Sequence, residues 1–348
     1  VCNYSGEGHV GRLPLLEATV NSVNVVFAQV MIAVTAGPVV ELAADMGIGT
    51  PLSADNAAVL GAVDVNPLGM ATVYATFAAN GKKHDPVAIT EIVDANGKVV
   101  YKDKSKSEQV MKPAAAYLTT TALQQVVARG TGTRAGAAGR SVAGKTGTAQ
   151  AYRDAWFAGY APNLATAVWV GYPEGAIEMR SSCSTSACRT TRIGEVTGGS
   201  WPAQIWGLYM KRALSSYPVL GFSDPGGTTT ATIDSRTTCL ANAKTPSKYS
   251  VTATFVAGAA PKKSCKVPDE LKTRGERREL THSAVPYVVG RSESEAVDRL
   301  EDEGFDVHVI TKKEPDKKKA QKNSGIVWQQ DPSGEARNGS TVTIWVNP

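Results

Sequence analysis

Over the first 130 positions of the chain, apolar residues recur at helical spacing. From Asn24 the run VVFAQVMIAV reads as a buried helix broken near Gly37-Pro38, and VVELAADMGI continues as a second helix. Asn66-Pro67 opens PLGMATVYATFAANG, which is apolar nearly all round and ends at Gly81, a residue suited to a helix C-terminus. In VAITEIVDANGKVVYK, two β-branched runs flank Asn96-Gly97, the pair that a type I′ hairpin turn prefers. Pro113 then opens AAAYLTTTALQQVV, a helix that stops at Gly130. Beyond it the period changes to two. SVAGKTGTAQ, DAWFAGYAP and LATAVWVGY, between Ser141 and Tyr172, read as three strands with a turn at Pro162-Asn163. Gly198-Gly199 precede a last helix, PAQIWGLYMKRALSS. Helices, then clustered antiparallel strands, then a helix predict an α+β domain in which helices cover a sheet.

From Pro218 to His282 the chain is rich in Thr, Ser, Ala, Pro and Lys with little periodicity, and it reads as a linker whose end, KTRGERREL, is a solvated charge run. Order returns at Val285. VPYVVG reads as a short strand, and RSESEAVDRLEDEGF as an amphipathic helix capped by Ser292, with Glu295 three residues on and Gly304 closing it. Strands VHVIT, GIVWQQ and STVTIWVNP follow, with turns at Asp331-Pro332 and Asn338-Gly339. One helix on three strands in about 65 residues is a small α+β module near the lower size limit for a stable core.

A length of 348 residues predicts two or three domains, and 42% hydrophobic with 20% charged residues is ordinary for a globular chain. The net charge of +5 is small for this length; it suits a solvated basic surface or attraction to an anionic wall, and it gives no reason to expect nucleic acid as a partner. Five cysteines occur, Cys2, Cys183, Cys188, Cys239 and Cys265. The last four allow three pairings, of which the most local, Cys183 with Cys188 and Cys239 with Cys265, closes short loops. A zinc site is the rival reading, although no second Cys or His pair stands at ligand spacing. Disulfides would place the chain in an oxidising compartment. No run of 18 apolar residues occurs; the longest candidate, Val25 to Met46, contains Gln29, Pro38, Glu41 and Asp45. The chain opens with Val1 and shows no export signal, so the expectation is a processed or truncated piece of an extracytoplasmic protein.

Two short motifs carry candidate chemistry. Lys145-Thr146-Gly147-Thr148 lies in a strand, so Lys145 and Gly147 face one way and the two threonines the other. Lys145 offers fixed positive charge, the threonine hydroxyls can bind a carboxylate, and Gly147 leaves room for a ligand backbone to lie alongside as an added strand. Ser22-Val23-Asn24 begins a helix. Either motif alone has an ordinary reading, a strand segment in one case and a helix N-cap in the other. Together, Ser-x-Asn followed more than a hundred residues later by Lys-Thr-Gly are two of the three signatures of penicillin-binding proteins and serine β-lactamases.

The resemblance extends beyond the motifs. EATVNSVNVVFAQV, NPLGMATVYATFAANG, VVARGTGTRAG, AGKTGTAQAYRDAWFAGYAPNLATAVWVGYP and TGGSWPAQIW occur in the order of the transpeptidase domain of class A, bifunctional penicillin-binding proteins, and the likeness covers Val1 to Tyr217. Val285-Pro286, Gly290, Ala296, Leu300, Gly304-Phe305, Val327, Gln330, Pro332, Gly334 and Gly339 resemble a PASTA repeat. The implied organisation is a partial transpeptidase domain over 1–217, a linker partly tied by disulfide over 218–282, and a PASTA domain over 283–348. The implied fold is the penicillin-binding serine transpeptidase fold, an antiparallel sheet flanked by helices with its N-terminal part missing, followed by the small α+β module.

What the resemblance implies for chemistry is a D,D-transpeptidase that cross-links peptidoglycan. A Ser-x-x-Lys serine attacks the penultimate D-alanine carbonyl of a stem peptide, terminal D-alanine leaves, and an amine of a neighbouring stem resolves the acyl-serine. Ser22 would relay a proton to the leaving amine, and Asn24 would hold the substrate amide and the motif lysine. Lys145 would set the electrostatics, Thr146 and Thr148 would bind the substrate carboxylate beside Gly147, and the Thr148 N–H would form half of the oxyanion hole. No cofactor or metal is implied. The implied partners are stem peptides ending in D-Ala-D-Ala, β-lactams in the intact domain, and muropeptides or divisome proteins through PASTA, at the extracytoplasmic face of the bacterial cell membrane.

One departure stands out, because no lysine in this chain has a serine three residues before it; the nearest approach is Thr245-Pro246-Ser247-Lys248 in the linker, after the Lys-Thr-Gly strand. The expectation is that the nucleophile, its lysine, the other half of the oxyanion hole, a glycosyltransferase domain and a membrane anchor lie upstream of Val1, and that Cys2 is left for a partner there. The chain alone would then be inactive. Rival readings are a D,D-carboxypeptidase, a β-lactamase, and a non-catalytic fragment that binds peptidoglycan or partners through PASTA. A Ser-His-Asp hydrolase has little support, because His9, His84, His282 and His308 stand in no triad context. Trp156, Phe157 and Tyr160 read as core, not as a cofactor site.

Overall fold

The computed structural model describes residues 13–184, 188–191, 194–268, 271–272, 282–316 and 323–348. Cys2, His9 and the charge run from 273 to 280 lie outside the described residues. The chain divides into two compact units. One runs to Ala231 and includes Thr252–Ala260; the other is Thr232–Val251 with Pro261–Pro348.

In the first unit the helices are α1 (Leu15–Val20), α2 (Asn24–Val34), α3 (Ala36–Asp45) and α4 (Pro67–Ala78). Short strands β1 (Lys82–His84), β2 (Glu91–Val93), β3 (Val99–Lys102) and β4 (Ser107–Gln109) lead to α5 (Pro113–Arg129). Then come β5 (Ala143–Thr148), β6 (Asp154–Ala161) and β7 (Leu164–Gly171), the short pair β8 (Glu178–Arg180) and β9 (Cys188–Thr190), and α6 (Trp201–Ala213).

β5, β6 and β7 form an antiparallel meander in that order, with Lys145 opposite Ala158 and Thr148 opposite Ala155. Alternation along β6 sends Phe157 and Tyr160 to opposite faces, and both are fully buried. Phe157 packs on Trp206 of α6, ring centroids 5.1 Å apart, with Ala203, Met210 and Leu214 completing that layer. Tyr160 meets Tyr74 and Phe77 of α4 and Leu123 and Val126 of α5 on the other face. Its hydroxyl shares a 2.7 Å hydrogen bond with Thr120 of α5. Helices therefore cover both faces of a small sheet, the α+β arrangement expected.

Several local expectations need correction. The break between α2 and α3 falls at Thr35, with φ of 70°, before Gly37-Pro38; Pro38 sits instead in the first turn of α3, where its missing N–H costs nothing. The two helices meet at a bend of 96°, and among the described residues no single helix is long and apolar enough to cross a membrane. Nor is α2 a buried helix. Its apolar residues run around the whole circumference, so a neighbour on one side covers Met31 and leaves Ile32 and Val34 exposed.

The β2–β3 hairpin forms, but not with a type I′ turn. Gly97 has positive φ (81°) while Asn96 does not, because the Asp94 carboxylate accepts from the N–H groups of Asn96 and Lys98 and holds a longer loop closed. Asn66 caps α4 as expected, accepting from Gly69 N–H at 2.8 Å, and Gly130 ends α5.

The stretch read as a linker is partly folded. β10 (Thr228–Asp234) and β11 (Ser250–Val256) pair as a two-stranded ribbon, and Cys239 is bonded to Cys265 with Cα atoms 5.7 Å apart. In the second unit, Arg236 and Asp234 form a buried ion pair, with the guanidinium over the Tyr249 ring at 4.4 Å. The ribbon escaped the sequence reading because threonine fills the alternating positions that apolar residues usually mark.

The remaining elements of the second unit are β12 (His282–Ala284), α7 (Glu293–Asp302), β13 (Asp306–Thr311), β14 (Val327–Asp331), β15 (Glu335–Arg337) and β16 (Thr341–Val346). β16 is central, parallel to β13 and antiparallel to β14. Ser292 caps α7 by accepting from Glu295 N–H, and Gly304 follows with φ of 81°. Val285, Val288, Ala296, Leu300, Phe305, Val327 and Ile344 make one core. The segment VPYVVG is not a strand. The strand lies just before it, as β12 paired with β15, and Val285–Gly290 is held by Gln330, whose carboxamide accepts from Val288 N–H at 2.7 Å and donates to the Pro286 carbonyl at 3.0 Å.

Candidate active site

Ser22 is not an N-cap. The N-cap of α2 is Val23, and no side chain caps that helix. Ser22 instead ends α1: the Val23 N–H donates to the Ala18 carbonyl at 2.9 Å and the Ser22 N–H to the Thr19 carbonyl at 3.3 Å. This is the bond pair of a Schellman motif, and the residues at its two apolar positions, Ala18 and Val23, are both buried. The motif requires a left-handed residue at Ser22, which has φ of 56°. Glycine is the usual occupant, and a serine there costs about 1 kcal/mol. Strain of this kind clusters where a side chain is needed.

The needed side chain meets Lys145. From β5, the Lys145 ammonium donates to Ser22 Oγ at 2.7 Å and to the Thr146 carbonyl at 3.1 Å, across 123 positions of sequence. Among the described residues no carboxylate pairs with it. Burial without a counter-charge lowers the Lys145 pKa from 10.5 to about 8. Asn24 stands on the first turn of α2, two residues from Ser22 and half-buried.

The threonines are held by a second layer of contacts. Thr146 Oγ1 shares a 2.7 Å hydrogen bond with Thr131 Oγ1, and Thr148 Oγ1 accepts from the Gly198 N–H at 3.0 Å. Thr131 in turn donates its N–H to the Val20 carbonyl at 3.2 Å, tying the α5 exit to the end of α1 beside Ser22. Gly198 lies against the strand itself: a Cβ there would stand 2.5 Å from Gly147 O and 2.8 Å from Gly147 N. Gly147 has its own packing reason, since a Cβ on it would come within 3.3 Å of the Trp156 Cβ. The sequence gives Thr131 no role and Gly198 only a place before the last helix. The signal available was a Gly-Thr-Gly and a Gly-Gly, each where backbone must approach backbone.

β5 is an edge strand, and the Ala149 N–H donates inward to the Asp154 carbonyl at 2.8 Å. Alternation then turns the N–H of Thr148, an exposed residue, toward the open edge. An ammonium, two hydroxyls and an unpaired edge donor along one strand can hold an extended peptide, its carboxylate and a developing oxyanion. Phe157 and Tyr160 are core, whereas Trp156 is half-buried and packs on Trp169. Of the three cysteine pairings, the structure contains the local one, Cys183 with Cys188 and Cys239 with Cys265. Among the described residues no group of three His, Cys, Asp or Glu side chains is placed to hold a metal.

The model of the penicillin binding protein transpeptidase domain matches residues 5–182, and that of the PASTA domain residues 283–348. The chain is 31% identical over 264 residues to penicillin-binding protein 1A of Aquifex aeolicus, covering 76% of this chain and 34% of that protein. It is 34% identical over 247 residues to penicillin-binding protein 1A of Mycolicibacterium smegmatis, covering 64% and 30%. Among solved structures, the PonA1 protein from Mycobacterium tuberculosis in complex with penicillin V superposes with a TM-score of 0.55 at 29% identity, over 65% of this chain and 62% of that one. The chain thus spans about a third of the length of these curated relatives.

Proposed function

The chain belongs to the penicillin-binding protein transpeptidase family and carries a PASTA domain, and from that premise we propose that its first unit supplies part of the acyl-transfer site of a peptidoglycan D,D-transpeptidase. The observation that carries this reading is the 2.7 Å hydrogen bond from the Lys145 ammonium to Ser22 Oγ. Two signature motifs that share no local sequence meet there.

In this reading a stem peptide lies along the open edge of β5. Its terminal carboxylate is held by the charge of Lys145 and the hydroxyl of Thr146, and Thr148 adds a second hydroxyl. The Thr148 N–H receives the oxyanion, a donor worth about 3 kcal/mol of barrier. Ser22 passes a proton between Lys145 and the departing amine, and Asn24 holds the substrate amide. A lysine near pKa 8 is suited to this relay, because its two protonation states are close in energy at physiological pH. Thr131 and Gly198 fix the rotamers of Thr146 and Thr148.

The sequence has no Ser-x-x-Lys, and in this reading the attacking serine is not among its residues. The chain alone therefore binds D-Ala-D-Ala peptides without being acylated. Incubation with a fluorescent penicillin followed by a denaturing gel is expected to show no labelled band; a covalent band on this chain would overturn the assignment. NMR of the same chain is expected to show a D-Ala-D-Ala-terminated peptide perturbing residues around Lys145, and Lys145→Ala to abolish the effect. The two disulfides support an extracytoplasmic location.

A second reading is favoured by the core that buried residues between Val285 and Val346 make among themselves. It makes the PASTA domain a binder of muropeptides or of division proteins. Pull-down with purified peptidoglycan, comparing residues 283–348 with the whole chain, tests it: retention of the short piece supports the reading and its loss to the supernatant refutes it.

A further inference from the structure

A helix of six residues has to deliver Ser22 to Lys145. α1 runs only from Leu15 to Val20, and no side chain caps its start. So short a helix is not stable through its own hydrogen bonds, and its place is set by what it packs on. Ala18 and Val20 are buried. Two polar links then tie α1 to the exit of α5. One is the Thr131 N–H on the Val20 carbonyl. The other is a fork in which Arg129 Nη1 and Nη2 donate to the two carboxylate oxygens of Glu17, at 2.9 and 2.5 Å.

The fork is oriented from both ends. Arg129 Nε donates to Gln125 Oε1, one turn back on α5, at 3.0 Å. The Glu17 carbonyl accepts from the backbone N–H and the side-chain amide of Asn21, each at 3.0 Å, immediately before Ser22. Hydrogen bonds from Arg129 lower the Glu17 carboxyl pKa, so the pair is ionised at neutral pH. Beyond Arg129 the chain is closely wedged. A Cβ at Gly130 would stand 2.4 Å from the Val20 carbonyl oxygen, and one at Gly132 would stand 3.0 Å from the Phe157 ring. Between these glycines, Thr131 bonds to Thr146.

The contacts therefore close a ring: Glu17 to Arg129, Thr131 to Thr146, Lys145 to Ser22, and back along α1 to Glu17. Of the three side-chain links, the fork alone lies outside both signature motifs. An ion pair this exposed, with the Arg129 and Glu17 side chains 45% and 34% accessible, adds little to stability. A bidentate fork does fix distance and angle, which a single charge contact does not. We propose that Glu17 and Arg129 are positioning residues of the transfer site: their fork holds the end of α1 against the exit of α5 and so keeps Ser22 Oγ on Lys145. Their bearing on transfer rests on the function proposed above.

The test reads Lys145 in the whole chain by NMR at Cε and Nζ. In Glu17→Gln and in Arg129→Gln, the titration midpoint should move up from near 8 toward 10.5, as Ser22 draws away and water reaches the ammonium. A D-Ala-D-Ala-terminated peptide should bind about threefold more weakly to both variants. Their melting temperatures should change little, as befits an exposed pair. Arg129→Lys, which keeps the charge without the fork, should fall between. Trp206→Ala, which weakens the layer on α6, should lower the melting temperature and leave the Lys145 midpoint where it is. A midpoint that stays near 8 in both glutamine variants, or one that moves as far in Trp206→Ala, would overturn the proposal and leave the transfer reading standing. A midpoint near 10.5 in the unsubstituted chain would overturn both.

Discussion

The residues that matter in the two units of this chain sit in opposite places. In the PASTA unit, the positions that stand out in sequence are core and turn residues: Val285, Ala296, Leu300, Phe305 and Val327 are buried together, and Gly304 and Gly339 take positive φ beside them. In the transpeptidase unit the core is made of Phe157, Tyr160, Trp206 and Met210, while Ser22, Lys145, Thr146 and Thr148 lie at its margin, at a helix end and on a sheet edge. One unit uses its conspicuous residues to be stable. The other accepts a strained serine and a lysine stripped of much of its hydration in order to present them.

Variants should separate the two. Trp206→Ala removes the largest fully buried side chain of the first unit and its bond to the Thr166 carbonyl. It is expected to cost that unit about 4 kcal/mol, with denaturation followed by resolved NMR signals showing the second unit's transition unmoved. Leu300→Ala should do the converse, costing the second unit about 3 kcal/mol and leaving peptide binding at β5 intact. Shared movement of both transitions in either variant would break the comparison.

Charge sharpens it further. The Lys145 pKa is lower in the folded chain than in the unfolded one, so between pH 8 and 10.5 the unfolded state binds more protons. Lys145 thus destabilises the first unit below pH 8, and that penalty lifts as pH rises to 10.5, a change on the order of 2–3 kcal/mol. Denaturation at pH 7.5 and 10 should show the gain, and Lys145→Met should remove it; a flat difference between the two proteins would show that the lysine is not desolvated. The smallest effect concerns Ser22. Ser22→Gly relieves the left-handed strain and should stabilise the first unit by about 1 kcal/mol, while peptide binding weakens because Lys145 loses its partner. Thermal melts and titrations on the same samples check both halves.

The contrast also explains what could be read in advance. Helix α5 was legible to the residue, since Pro113 and Gly130 are punctuation that acts locally. The same holds for Ser292 and Gly304, and β13, β14 and β16 fall within about two residues of the runs that mark them. The hairpin turn was misjudged because Asp94, outside the Asn-Gly pair, supplies the bonds that set the loop. The β10–β11 ribbon was missed because TTTATID and SVTATFV alternate threonine with small residues. At the site, residue types pointed to Ser22 and Lys145, but no periodicity could show that a Schellman turn aims one at the other. Thr131 became visible only through its bonds to Thr146 and Val20, which close across the fold.

At the centre of the proposed site, Lys145 is partly desolvated in contact with Ser22. Direct NMR titration of the Lys145 side chain, detected at Cε and Nζ, tests this in the intact chain. The predicted result is a midpoint near pH 8 whose resonances respond to Ser22→Ala. A midpoint near 10.5, unaffected by that substitution, would contradict it.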